Sequence, residues 1–143
     1  MRGILILLVI ATVWSSCSSS SESAHFGLAM YYELTSVNSG MSGEILDKEE
    51  LGFRESIEFF PDSTFIKRRV YPDSTSTAFG KYDSVNSGGN DYLKLYYSDD
   101  TYLIQSCGNS LVEHLSILSE SEMYNGGYLL CDGPGYYYTR TKK

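Results

Sequence analysis

From residue 25 onward the chain repeats one pattern: short runs in which apolar and polar residues alternate, each ended by turn residues. A period of two sends successive side chains to opposite faces of a pleated strand, and the 13 tyrosines and six phenylalanines suit such surfaces. A first strand is expected within "HFGLAMYYELTS". The polar connection "VNSGMSGEILDKEELG" follows, where Ile45, Leu46 and Leu51 seat one helical turn. "ESIEFFPDSTFIKRRVY" reads as a hairpin, with Pro61-Asp62-Ser63 as its tight turn and Phe65 opening the return strand. Pro72-Asp73-Ser74 turns the chain into "TSTAFGKYDSV", with Gly80 as a bend or bulge, and "NSGGN" leads into "DYLKLYY". After a turn at Asp99-Asp100, the runs "TYLIQSC", "NSLVEHLSIL", "SEMYNG" and "GYYYTRTKK" complete about eight strands. Eight antiparallel strands with short connections close into an up-and-down barrel, so the expected fold is all-β.

The same alternation selects the interior. Ile57, Phe59 and Phe65 share one face of the first hairpin, with Glu58 and Thr64 outward, and Leu93, Leu95 and Tyr97 share a face opposite Lys94. A barrel of this size is either filled by its side chains or holds one small ligand. Tyr136, Tyr137 and Tyr138 supply large rings with polar tips that would suit a cavity wall or a partner, but on a strand they must split between faces.

The first 24 residues follow different rules. The apolar run from Ile4 to Val13 is about half the roughly 20 residues that a membrane-spanning helix needs, and Arg2 precedes it, so 1–16 reads as an export signal. Trp14-Ser15-Ser16-Cys17 resembles the lipobox of bacterial lipoproteins, with tryptophan where leucine is usual. In that family the chain is cut just before the cysteine, whose thiol carries a diacylglycerol, so the resemblance implies lipid attachment at Cys17. Residues 17–24 are nearly all serine after Cys17, cannot bury a core, and read as the tether of that anchor, which leaves 25–143 as one domain. Ser18 behind the cysteine implies, by the family's sorting rules, an outer-membrane lipoprotein. With Glu22 the one acid in the tether, it is expected to face the periplasm.

Three cysteines leave one unpaired in an exported protein, and lipidation of Cys17 removes it. Cys107 and Cys131 are then expected to be bridged in an oxidising compartment, the alternative being two buried free thiols. Neither has a close cysteine or histidine at ligand spacing, so zinc is not expected. The formal charge of −7 becomes −8 when Arg2 leaves with the signal, with ten basic against 18 acidic residues. Such a chain is repelled by nucleic acid and by anionic lipid, and its membrane association falls to the acyl chains on Cys17.

The stretches "IEFFPDSTF", "FGKY", "LKLYY" and "CDGPGYYYTR", in this order, resemble the small lipocalin-like domains of bacterial lipoproteins over roughly His25 to Lys143. The resemblance implies a barrel whose interior binds a small apolar or amphipathic molecule. Ligand-carrying lipocalins open with a glycine-x-tryptophan signature, where this chain has Met30-Tyr31-Tyr32, so the resemblance extends to the looser barrel and not to a transport calyx.

No catalytic constellation is present. His25 lies at the edge of the tether, and His114 and Glu113, adjacent on a strand, point to opposite faces. There is no glycine-x-serine-x-glycine elbow, phosphate-cradling glycine loop or metal-spaced histidine pair. Asp83, Asn86 and Asp91 offer oxygens around a glycine turn but match no calcium-loop spacing, so a plain hairpin is expected, and the acids from Glu44 to Glu50 read as solvated surface. The expectation is a non-enzymatic, lipid-anchored envelope protein without metal or cofactor. Its barrel either binds a small apolar ligand or is filled and serves as a structural or interaction module for another envelope protein.

Overall fold

The computed structural model describes residues 29–108 and 110–143. The expected export signal and tether, with Cys17 and His25, lie outside the described residues. Among the described residues, nine strands form one antiparallel sheet: β1 (Met30–Asn38), β2 (Ile45–Asp47), β3 (Arg54–Phe59), β4 (Thr64–Val70), β5 (Thr75–Ser87), β6 (Asn90–Tyr97), β7 (Val112–Ile117), β8 (Glu122–Asn125) and β9 (Gly135–Thr141). Their order is β2-β1-β3-β4-β5-β6-β7-β8-β9, and β1 also pairs with β9. Eight strands therefore close an up-and-down barrel, and β2 is an addition to its wall.

Closure rests on β1, which pairs along its length with β9 through a bulge between Leu34 and Ser36. Thr35, the extra residue, turns its hydroxyl onto the Tyr137 carbonyl at 3.2 Å and the Thr139 hydroxyl at 3.3 Å. The other edge of β1 is divided. Met30 to Glu33 pair with β3, and Ser36 to Asn38 pair with β2. This corrects the expected helical turn: Ile45 to Asp47 are extended because β3 leaves half of β1 unpaired, and their backbone satisfies that edge. The local turn instead falls on Gly40–Ser42, where Gly40 at φ +69° and Gly43 at φ +66° adopt left-handed backbone. The outer edge of β2 is blunted by Glu50, whose Oε2 accepts the Asp47 N–H at 2.9 Å while its own N–H returns to the Asp47 carbonyl.

Two further expectations are corrected. Gly80 is neither bend nor bulge, since it pairs in register with Phe65 and Tyr97. Glycine is required because a Cβ there would lie 1.9 Å from the Tyr96 carbonyl oxygen. "TYLIQSC" is not a strand. Val112 to Ser116 pair directly with β6, and the 98–108 segment folds into the open end of the barrel, with Leu103, Ile104 and Gln105 all buried. Three consecutive buried residues do not fit the period of a sheet with one wet face. At the 60–63 turn the expectation holds: Asp62 accepts the Thr64 N–H at 3.1 Å and its hydroxyl at 2.6 Å.

Strand directions fix two ends. The chain enters at the base, which also carries the 60–63, 88–89 and 118–121 turns and the C-terminus. The mouth carries the 39–53 connection, the 71–74 turn, the 98–108 segment and the 126–134 connection. Near the base the lumen is apolar and aromatic. Phe59 stands edge-on to Tyr82, and Phe65 edge-on to Tyr97, each with ring centroids 5.0 Å apart. Ile57, Phe59, Phe65, Leu93, Leu95 and Tyr97 all face inward and are buried. Tyr136 and Tyr138 join them, while Tyr137 packs outside on Tyr124. Lys94 lies outside over the Tyr96 ring. Glu58 also lies on the outer face, yet it is only 8% exposed because Lys143 and Arg68 cover its carboxylate.

Truncating Phe59 or Phe65 to alanine is expected to cost about 3–5 kcal/mol in denaturant unfolding, since each ring is fully buried among other rings and its loss leaves a cavity. Gly80→Ala is expected to lower the unfolding midpoint as well, by forcing β5 away from β6.

Candidate functional site

Continuing inward from Phe65 by steps of two along β4 brings Lys67 and then Arg69 into the lumen, and one step back from Ile57 on β3 brings Glu55. From the opposite wall β7 contributes Glu113 and β8 contributes Asn125. The mouth half of the lumen is thus lined by charges. The side chains of Lys67, Glu55 and Glu113 are wholly buried, and that of Arg69 is 10% exposed.

Two acids and two bases are interleaved. Lys67 Nζ lies 2.9 Å and 3.2 Å from the two oxygens of Glu113 and 3.5 Å from Glu55 Oε1. Arg69 Nε donates to Glu55 Oε2 at 2.6 Å, with its guanidinium carbon 4.3 Å from the centroid of the Phe53 ring. Neutral donors take the remaining carboxylate lone pairs. Asn125 Nδ2 donates to Glu113 Oε1 at 2.5 Å, and the Tyr97 hydroxyl donates to Glu113 Oε2. Gln105 Nε2 donates to Glu55 Oε1 at 3.0 Å, and the backbone N–H of Gln105 reaches Glu113 Oε2 at 3.4 Å. The single Tyr138 hydroxyl proton has two acceptors, Glu55 Oε1 at 2.6 Å and Gln105 Oε1 at 2.9 Å.

The electrostatics follow from this geometry. Burial alone would raise the Glu55 carboxyl, but the charges of Lys67 and Arg69 and the hydrogen bonds from Tyr138 and Arg69 outweigh it and hold the group below the ordinary glutamate range. Burial, and next the Glu113 carboxylate, push the Tyr97 phenol well above its usual value. Burial and then Glu55 do the same to Tyr138.

Gln105 comes from the 98–108 segment, which seals the mouth as a plug. Cys107 is bonded to Cys131 with Cα atoms 6.1 Å apart, tying the plug to the 3-10 turn Leu129–Cys131. Below the plug the lumen is filled: every barrel strand sends side chains inward, and Tyr138, Phe59, Phe65, Lys67, Leu95 and Glu113 are among those fully buried. Lys67 and Glu113 present no atom to a substrate. Two open grooves lie against the 48–53 stretch. One, of about 460 Å³, opens where β1 and β3 part and is lined by Tyr31, Lys48, Arg54 and Val70 together with the inward-facing Leu34 and Glu55. Its neighbour, of about 560 Å³, includes Leu51, Phe53, Tyr71 and Pro72.

The six expected interior residues are brought together in the apolar half and at its border with the charged half, where Tyr97 joins the two. His114 is exposed on the outer face, its ring 5.6 Å from that of Tyr92, while Glu113 points inward. Asn86 donates to Asp91 across the β5–β6 turn at 2.6 Å, and among the described residues no three histidine, cysteine or acidic side chains are grouped to hold a metal. Sequence reasoning missed Glu55, Lys67, Arg69, Gln105, Glu113 and Asn125. Alternation already pointed to Lys67, Arg69 and Glu55, since each lies an even number of positions from an inward apolar residue. No protein-family model, curated protein or solved structure matches the chain.

Lys67→Met, which leaves two buried carboxylates short of a counter-charge, is expected to destabilise the barrel by about 3–5 kcal/mol. Adding Glu113→Leu should recover part of that loss, a coupling that a double-mutant cycle in denaturant reads directly. Because folding lowers the Glu55 pKa, its contribution is complete above the unfolded glutamate value of about 4.3 and is lost as pH falls through the lower folded value. Because folding raises Tyr97 and Tyr138, theirs is complete below about pH 10 and declines above it. Stability measured against pH should therefore be level between these limits and fall on both sides, and Glu55→Gln should flatten the acid limb.

Proposed function

We propose that the chain is a lipid-anchored envelope protein whose lipocalin-like barrel is a filled, non-catalytic scaffold working through its outer surface toward a protein partner. The observation that carries this reading is the occupied lumen. The charged cluster and the plug fill the mouth half, and an aromatic core fills the base, so an apolar ligand would have to displace both. Support for the anchor comes from Cys17 behind its short apolar run and ahead of a serine tether. The chain enters the barrel at the base, so an anchor at Cys17 sets the base nearest the membrane and turns the mouth away from it.

The mouth then offers the recognition surface. Met41 is 84% exposed and Leu130 is 93% exposed, and they stand on adjacent turns, since a Cβ on Gly40 would lie 2.7 Å from the carbonyl oxygens of Asp132 and Gly133. Large apolar side chains held out on adjacent turns fit contact with another protein better than plain solvation.

Native mass spectrometry of the protein extracted from its own membrane tests both halves. The expected species begins at Cys17, carries acyl chains, holds no stoichiometric small molecule and retains a partner protein. A small apolar molecule bound one to one would return the barrel to a binding role. Cys17→Ser is expected to move the protein to the soluble fraction, and its persistence with membranes would sink the anchor.

A further inference from the structure

We propose that the 98–108 segment is a releasable plug latched by the Cys107–Cys131 bond, and that reduction of this bond by a dithiol opens the charged end of the barrel. The inference stands apart from the anchoring and scaffold reading, because it concerns the barrel alone.

Three observations carry it. First, the segment belongs to no strand and forms no ladder with the wall. Besides the Gln105 contacts with the cluster, it is held by isolated hydrogen bonds: Ser98 N–H to the Phe79 carbonyl at 3.0 Å and the Tyr102 hydroxyl to Ser76 on β5, and, at the 126–134 connection, Cys107 N–H to the Gly127 carbonyl at 3.2 Å and the Tyr128 hydroxyl to the Ile104 carbonyl at 2.8 Å. Second, the covalent tie is accessible: Cys131 is exposed and Cys107 partly so. Third, the plug opposes itself. Seating buries Leu103 and Ile104, which favours closure, but it also shuts Glu55, Lys67, Arg69 and Glu113 away from water, which does not. Withdrawal would rehydrate four charges while leaving the strand pairings of the barrel intact. Two opposed contributions leave the position of the segment to the bond that joins it to 129–131.

The chemistry balances as thiol–disulfide exchange. A thiolate of the dithiol attacks Cys131 Sγ, and the bond to Cys107 Sγ breaks with Cys107 leaving as thiolate. The second thiol of the donor then resolves the mixed disulfide. Two electrons and two protons pass to Cys107 and Cys131, and the donor becomes a disulfide.

Gly127 provides a handle that leaves both cysteines in place. A Cβ there would lie 2.4 Å from the Gln105 carbonyl oxygen, so Gly127→Ala unseats the plug by contact. If seating and bond are coupled, weakening one must weaken the other by the same factor.

Hydrogen exchange read by mass spectrometry on the mature full-length chain in detergent, oxidised and then treated with dithiothreitol, tests the latch. Reduction should speed exchange in peptides spanning 98–108 by at least about tenfold while β3 to β6 keep their protection, and reoxidation should restore it. Unchanged protection in 98–108 would show that the segment is not released. Simultaneous loss across β3 to β6 would show a staple of the whole fold and overturn the latch equally. In a dithiothreitol redox buffer, Gly127→Ala is expected to be reduced at a lower ratio of reduced to oxidised reagent than the wild type. An identical midpoint means that plug and bond are uncoupled, against the proposal.

Discussion

An ammonium group at Lys67, wholly enclosed in a protein lumen, sets the terms for everything around it. Removing such a charge from water costs several kcal/mol, and only close counter-charges with satisfied lone pairs offset that cost. Glu113 supplies the nearest carboxylate and Glu55 the second, and each acid then needs donors of its own. Those donors arrive from separate places: Tyr97 on β6, Asn125 on β8, Tyr138 on β9 and Gln105 on the plug. They converge only when the barrel is closed, so the cluster rewards closure as a whole. It also opposes misregister. A slip of β4 by one residue would turn Ile66 and Arg68 inward and leave Glu113 facing no ammonium.

The division of the lumen follows from how β1 is shared. Where β1 pairs with β3 on one side and β9 on the other, near the base, the wall is complete and can enclose an aromatic core without water. Toward the mouth β3 and β1 part and β2 takes up the freed edge of β1. The wall there is less regular, and the lumen is lined by groups that tolerate water at the cost of needing partners. The plug and its bond to the 129–131 turn close this end by side-chain contact, where the base is closed by strand pairing and aromatic packing.

Much of this was legible in the chain. The all-β fold, the turns at 60–63 and 71–74 and the inward set from Ile57 to Tyr97 follow from local chemistry, which alternation and turn residues report faithfully. Three segments were not legible, each for a non-local reason. Ile45 to Asp47 extend to satisfy an edge that exists only because β3 diverges from β1. Gly80 is needed for an approach to Tyr96, which sequence spacing does not show. Leu103 to Gln105 resemble a strand but seal an opening. The charged cluster was hidden by a convention: lysine, arginine and glutamate are read as outward because each alone is expensive to bury. In "FIKRRV" the alternation from Phe65 through Lys67 to Arg69 contradicted that convention, and the partners that make it tolerable lie 46 residues away in Glu113 and 14 residues away in Glu55.

Barrels that hold a ligand and barrels that are filled share strand number, turns and alternation, so no argument from fold class separates them. What separates them here is a handful of side chains near the mouth. With apolar residues at Glu55, Lys67, Arg69 and Glu113, the same wall would enclose an oily lumen suited to an apolar guest. With these charges, an apolar guest would strand buried ions without adding any partner for them, and the plug already places the Gln105 carboxamide where a guest would need to donate to Glu55. The interior chemistry therefore disfavours the ligands that the fold suggests, and on the scaffold reading proposed above recognition falls to the surface, where Met41 and Leu130 stand exposed at the end farthest from the point at which the chain enters.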